Sequence, residues 1–276
     1  MQVKIFKAQV PFTDVYRGEE IITQTNALVI VPGENAKKVN TIGLFTHGFT
    51  SHKASILNWP LRLAEDGIPC ILFDLPGHYL GTFSEVHSFE AFKENAPLMF
   101  ATAIESLKEV LGTNQIDFDC NPKETKLIIG GHSLGALLSL MALETDKIRE
   151  FSTKQCVAVG FGLPPQGVTH VFDTPFYRST LKVRGQLVSP ALNPDIIFPW
   201  IKEEKEKLDL MGEDIYLLTG EDDVVVGKDG TERLAAQLES AGNRVVVEKP
   251  KKLGHHLPEN AAPHIRKYLR DLGFFN

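Results

Sequence analysis

The chain has 276 residues, 43% hydrophobic and 23% charged, with a formal net charge of −6. That composition excludes wholesale disorder, and the excess of acid argues against a nucleic-acid binder, which needs a basic face. No run approaches the roughly 20 apolar residues of a membrane span, and Lys4 and Lys7 are followed by no apolar segment of the kind a secretory signal carries. Cys70, Cys120 and Cys156 are few and widely spaced, which suits reduced, structural thiols in a cytoplasmic protein better than a disulfide framework. Length alone allows one large domain or two.

Residues 3–31 hold strand-like runs with no helix between them and are expected as antiparallel strands at a sheet edge. A rhythm follows in which short apolar runs end in Gly or Pro. Residues 27–31 close at Pro32-Gly33, 41–45 run into His47-Gly48, and 68–73 run into Asp74-Leu75-Pro76-Gly77. Residues 126–129 run into Gly130-Gly131, 156–159 into Gly160, and 215–218 into Thr219-Gly220, with 244–247 the last. Such runs are strands buried on both faces. Helical spacing fills the intervals. Phe92, Ala96, Phe100, Ala103, Leu107 and Leu111 make one stripe, with Ser88 as N-cap, Gly112 just past the end, and a kink or late start at Pro97. Leu234, Leu238 and Ala241 make another, stopped by Gly242, and Ile265, Tyr268, Leu269 and Leu272 make a C-terminal amphipathic helix. Strands alternating with helices predict a mostly parallel sheet covered on both faces.

Residues 163–210 break the rhythm. Pro164, Pro165, Pro175, Pro190, Pro194 and Pro199 limit helix length there, and Phe172, Phe176, Tyr177, Phe198 and Trp200 are concentrated in the same stretch. A long insert between core strands is expected to be a lid, with a surface excursion packed by its own aromatics as the alternative. Lys202-Glu203-Glu204-Lys205-Glu206-Lys207 within it has the pattern of a solvated helix face.

Gly131-His132-Ser133-Leu134-Gly135 is the most informative segment. A strand precedes it and the apolar helical run 136–143 follows, which is the strand–turn–helix setting of a G-x-S-x-G nucleophile elbow. Small residues two before and two after the serine let strand and helix crowd together, and the hydroxyl of Ser133 is left at the strand's end beside a helix N-terminus. A serine hydroxyl is a weak nucleophile that needs a base and an orienting group for that base.

With Thr46-His47-Gly48-Phe49 and Asp74-Leu75-Pro76-Gly77-His78 before the elbow, and Gly220-Glu221-Asp222-Asp223-Val224-Val225 and Gly254-His255 after it, the chain resembles the α/β-hydrolase family over about residues 25–272. The likeness is to its serine esterase and lipase-like branch. It implies an α/β-hydrolase fold in a single domain over residues 1–276, with 163–210 as a lid inserted in it. It implies the order Ser, acid, His, hence Ser133 as nucleophile, an acid after the strand 215–218 and a histidine near the C-terminus. The family's Gly-His pair favours His255 over its neighbour His256, over His170 in the insert and over His264 in the last helix. The family's Gly-x-x-Asp spacing favours Asp223 over Asp222 and Glu221. The oxyanion donors are then the backbone N–H groups of Phe49 and Leu134. His47 is expected to anchor its loop, and His52 and His78 to lie near the mouth without chemistry.

Phe161, Phe176 and Trp200 are candidates for the substrate pocket, with packing of the insert onto the core as the other role for the aromatics. No His-Glu-x-x-His or Cys-x-x-Cys occurs, so no metal site is expected. Residues 160–165 begin like a dinucleotide fingerprint but have Pro165 where the third Gly belongs, and the P-loop pattern fails around Gly227-Lys228, so no cofactor is expected. The expected partner is a small-molecule acyl substrate, with no nucleic acid and no membrane span. The implied function is a cytoplasmic serine carboxylesterase acting on an ester or thioester through an acyl-enzyme. An acyltransferase, a C–C hydrolase, an amidase or a non-catalytic binding protein of the same fold are the alternatives.

Overall fold

The computed structural model describes residues 3–165 and 174–276. The chain opens with a long hairpin of β1 (Lys4–Tyr16) and β2 (Glu19–Val31), paired antiparallel throughout. Its turn is Arg17-Gly18, at φ +55° and +85°. A two-residue turn with both φ values positive matches the twist of the strands it joins.

The next elements are β3 (Thr41–Thr46), α1 (Asn58–Glu65), β4 (Cys70–Phe73), α2 (Phe89–Asn95) and α3 (Met99–Thr113). Then come β5 (Lys126–His132), α4 (Leu134–Ala142), α5 (Asp146–Arg149), β6 (Thr153–Val159), α6 (Pro175–Arg184) and α7 (Pro194–Lys207). The chain closes with β7 (Asp214–Leu218), α8 (Gly230–Ser240), β8 (Arg244–Glu248) and α9 (Ala262–Asp271). The described strands form one sheet in the order β1-β2-β4-β3-β5-β6-β7-β8. β2 meets β4 antiparallel, and every pair from β4 to β8 is parallel, so the hairpin is the antiparallel edge that its sequence suggested.

Alternation along the strands divides the core into two layers. Ile71 and Phe73 of β4, with Leu127 and Ile129 of β5, join α3 and α4 on one face. Cys70 and Leu72, with Ile128, join α1 and α9 on the other. Because both faces are covered, β3 and β4 are buried at every position, and that is why their sequences read as unbroken apolar runs.

The long helical stripe around Pro97 resolves into two helices. α2 ends at Asn95 and α3 begins at Met99, because proline cannot donate its N–H to the preceding turn. Ser88 caps α2 by accepting from the Ala91 N–H at 3.2 Å. Gly112 lies inside the last turn of α3 rather than past its end, and Asn114 takes the capping position. In the insert, α7 is longer than its prolines suggested. Pro194 sits in the first turn, where no N–H is needed, and Pro199 lies on the solvent side with Asp195, whose carbonyl water can satisfy.

Residues 174–210 are tied to the sheet rather than set apart from it. The Ser189 N–H donates to the Gly77 carbonyl at 2.8 Å, the Tyr79 N–H donates to the Leu187 carbonyl at 2.9 Å, and Leu192, Ile197 and Trp200 enter the main core.

Asp14 of β1 is a fully buried carboxylate whose two oxygens accept from the N–H groups of Val15, His87 and Ser88 and from the His87 ring. It pins the segment before α2 to the hairpin. Asp14→Ala leaves these donors unpaired and is expected to lower the unfolding free energy by about 1–3 kcal/mol, read from the urea midpoint at pH 7.

Candidate active site

Strand register sets the stage. Thr46 of β3 pairs with Gly131 of β5, His132 with Val159 of β6, Val159 with Leu218 of β7, and Leu218 with Glu248 of β8. Four parallel strands therefore end level with β8, and the loops that begin at His47, Ser133, Gly160 and Thr219 leave from the same edge of the sheet. Ligand sites of open α/β sheets form at such edges.

Ser133 joins β5 to α4 at φ +52°, ψ −110°. A non-glycine residue in that region carries about 1–3 kcal/mol of strain. Its N–H donates to the Val159 carbonyl at 2.9 Å, and its carbonyl accepts from the Ala136 and Leu137 N–H groups. The flanking glycines are obligatory on distance. A Cβ on Gly131 would lie 2.5 Å from the Gly135 backbone, and one on Gly135 would lie 2.6 Å from the His47 carbonyl oxygen. Helix α4 therefore presses directly on the end of β3, and the elbow has no room to relax.

The loops around it place the other predicted residues. Asp223, 4% exposed, follows β7, and its Oδ2 lies 2.9 Å from His255 Nδ1. Asp223 Oδ1 accepts from the N–H groups of Val225 at 2.9 Å and Val226 at 3.0 Å. Burial pushes this carboxyl up, but His255 and the two amides outweigh burial and hold it below its ordinary value. Glu221 and Asp222 are exposed. His256 is exposed too, with its ring edge-on to His255 at 5.7 Å. His264 lies elsewhere, bonded through Nδ1 to Glu248. His170 and Phe172 fall outside the described residues.

Ser133, His255, Phe49 and Leu134 all line one cavity of about 1800 Å³. The Ser133 hydroxyl and the His255 ring are not hydrogen-bonded to each other, and contacts of this kind often tighten only around substrate. Neither the Phe49 nor the Leu134 N–H is bonded to another protein group among the described residues. Phe161 and Phe176 also line the cavity. Trp200 does not. It packs edge-on against Phe89 and Phe92 in the core, because the helical turn that brings Phe198 to the cavity turns Trp200 toward α2.

Three histidines form the floor beneath these groups. His47 Nδ1–H donates to the Gly48 carbonyl at 2.8 Å, and its Nε2 accepts from the Leu75 N–H at 3.0 Å, which ties the Phe49 loop to the loop after β4. His78 is fully buried, not at the mouth, and its ring stands edge-on to both His47 and Phe49. His52 is partly exposed and does not reach the cavity. His132, between the elbow's first glycine and Ser133, lies against His255 with ring centroids 4.8 Å apart. Burial pushes His47 and His78 down to about 3, and His132 well below the usual imidazole range with the help of its histidine neighbours. All three are therefore neutral scaffold groups at pH 7.

Two features escaped sequence reasoning. His132 carried no signal beyond its place in the elbow. The charged run 202–207 has the pattern of a solvated face, yet the Lys205 ammonium stands 4.5 Å from the Phe161 ring centroid inside the cavity wall. Helical spacing marks it, since 197, 201 and 205 lie on one stripe of α7 that begins at the buried Ile197. No group of His, Cys, Asp and Glu fit to hold a metal occurs among the described residues, and no helix among them is long and apolar enough to cross a membrane.

The sequence matches the model of the alpha/beta hydrolase family over residues 44–264, and the chain belongs to that family. No curated protein sequence matches it. A highly thermostable carboxyl esterase from Bacillus coagulans is similar in structure, at 14% identity and TM-score 0.61, with 100% of both chains covered. A lipase in its open form aligns at 14% identity and TM-score 0.59 over 98% of each chain. An α/β serine hydrolase without a lid from Xanthomonas campestris aligns at 14% identity and TM-score 0.50, over 96% of this chain and 94% of its own. At these identities the likeness is one of fold: an eight-stranded, mostly parallel sheet flanked by helices.

Two outcomes are expected. Gly135→Ala should cost about 1–3 kcal/mol in urea unfolding, because its methyl meets backbone rather than a side chain that can move. The acid response follows from the buried imidazoles. His47 and His78 titrate near 6.5 when unfolded but near 3 when folded, so the unfolded state binds more protons between those values. Their contribution is complete above about pH 6.5 and is lost as the pH falls toward 3. The urea midpoint should drop steadily from pH 6.5 to 4, and a flat midpoint over that range would contradict the neutral, buried state of these rings.

Proposed function

We propose that the protein is a serine hydrolase that cleaves the carboxylic ester or thioester of a small acyl compound through an acyl-enzyme. The observation that carries this reading is the buried Asp223–His255 pair on the same cavity as the strained Ser133 elbow. With its Nδ1–H donated to Asp223, the His255 ring keeps Nε2 as a base. Nε2 takes the Ser133 proton as Oγ attacks the substrate carbonyl, and Asp223 stabilises the imidazolium that forms. The Phe49 and Leu134 N–H groups receive the oxyanion, and the N-terminus of α4 adds favourable potential there. His255 then protonates the leaving alcohol or thiolate, and water repeats the sequence to free the acid.

Residues 163–210 serve in this reading as a cap on a single domain. The described part supplies Phe176, Tyr177 and Phe198 to the cavity wall, whose breadth suits a substrate with an extended apolar portion. A reducing, cytoplasmic setting accords with Cys70, Cys120 and Cys156 all being unpaired.

Ser133→Ala is expected to lower turnover of p-nitrophenyl butyrate by about 10⁴-fold or more and to abolish labelling by a fluorophosphonate probe. Asp223→Asn should cost about 10⁴-fold in kcat, whereas Asp222→Asn should stay within about twofold because its carboxylate faces solvent. Full activity in Ser133→Ala would overturn the proposal.

A further inference from the structure

The charge of the cavity wall runs against that of the chain. Overall, 35 acidic residues outnumber 29 Lys and Arg. Among the described residues on the cavity wall, Arg178, Lys182 and Arg184 of α6 and Lys202 and Lys205 of α7 stand with one carboxylate, that of Asp195. Such a local reversal focuses positive potential on the site.

Lys205 is the innermost of the five in chemical terms. As a residue it is only partly exposed, and its ammonium sits over the face of Phe161, which is itself 1% exposed. It makes no hydrogen bond or ion pair through that ammonium among the described residues. Asp223 is near enough to favour its charge, but both oxygens of Asp223 are already engaged by His255, Val225 and Val226. Burial pushes the amine down to about 8, so it is still mostly protonated at neutral pH. A cation drawn partly out of water with only a ring face beside it is costly unless an anion completes it.

We infer that Lys205 is a specificity-determining residue that pairs with an anionic group on the substrate, a carboxylate or phosphate carried by either the acyl portion or the leaving group. The more exposed cations of α6 and α7 would draw such a substrate in, and Phe161 would pack against its apolar part. This rests on the serine-hydrolase reading for the reaction but adds a charge requirement that the reaction itself does not impose.

The test compares matched substrates on the full-length protein. Mono-p-nitrophenyl glutarate against p-nitrophenyl pentanoate places the charge on the acyl side. 4-Acetoxybenzoate against 4-acetoxybenzamide places it on the leaving side. Wild type is expected to favour the anionic member of at least one pair by about tenfold or more in kcat/KM. Lys205→Met should lower that ratio by a similar factor, and Lys205→Arg should keep most of it. Taking the ratio within each variant cancels any general loss of activity. Equal or neutral-favouring ratios in both pairs, or a preference that survives Lys205→Met, would overturn the inference. Calorimetric binding of glutarate against glutaramide reads the same charge preference without turnover. Tighter glutarate binding that Lys205→Met abolishes supports the inference, and indifference to charge overturns it. Failure of wild type to label with a fluorophosphonate would instead count against the serine-hydrolase reading, whatever Lys205 does.

Discussion

The site depends on one close approach of backbones. At Gly131 and Gly135 the end of β5 and the start of α4 come so near to β3 and to each other that no side-chain atom fits between them. This contact forces Ser133 into the left-handed region and aims the N-terminus of α4 at the edge where the parallel strands end. It also fixes the position of the His47 carbonyl, and so of the Gly48-Phe49 segment that follows. A single steric constraint thereby sets Ser133, the helix dipole and the Phe49 loop in one frame. The strain at Ser133 is held by main-chain hydrogen bonds to Val159, Ala136 and Leu137, which a side-chain substitution cannot remove.

Around that frame the polar scaffold is made of neutral imidazoles. His47 bridges the Phe49 loop to the loop after β4, His78 packs beneath Phe49, and His132 lies against His255. Buried, uncharged rings suit this place. A permanent charge beneath the elbow would compete with the Asp223–His255 pair, whereas a neutral ring can both donate and accept without disturbing it. On the neighbouring loop the charge is instead paired: the fully buried Asp74 carboxylate accepts from the Lys53 N–H and ammonium and so pins the segment after Phe49. Lys205, whose ammonium has no hydrogen-bond or ion-pair partner among the described residues, faces the cavity instead of the scaffold.

Much of the fold was legible in the chain because its signals are local. Unbroken apolar runs ending in Gly or Pro marked strands buried on both faces, and the only long apolar segment without helices became the antiparallel hairpin. Pro97 divided a helical stripe where its missing N–H required. The cases that differed were ones in which surroundings overrode a local rule. α7 passes through Pro199 where Pro199 and Asp195 lie on an exposed stripe, Trp200 turned into the core because α2 offers Phe89 and Phe92, and Lys205 left a run of charged residues because its stripe of α7 faces the cavity.

What the sequence determined by itself was the succession of strands and helices and the strand–turn–helix around Ser133, since each is a matter of residues next to one another. Only the tertiary structure decided which of three consecutive acids and which of two adjacent histidines meet, because Asp223 and His255 come from different loops that the register of β7 and β8 brings to one level. It likewise decided that His78 is core and that Lys205 belongs to the cavity. Burial is set by what packs against a residue from elsewhere in the chain, and no local pattern records that.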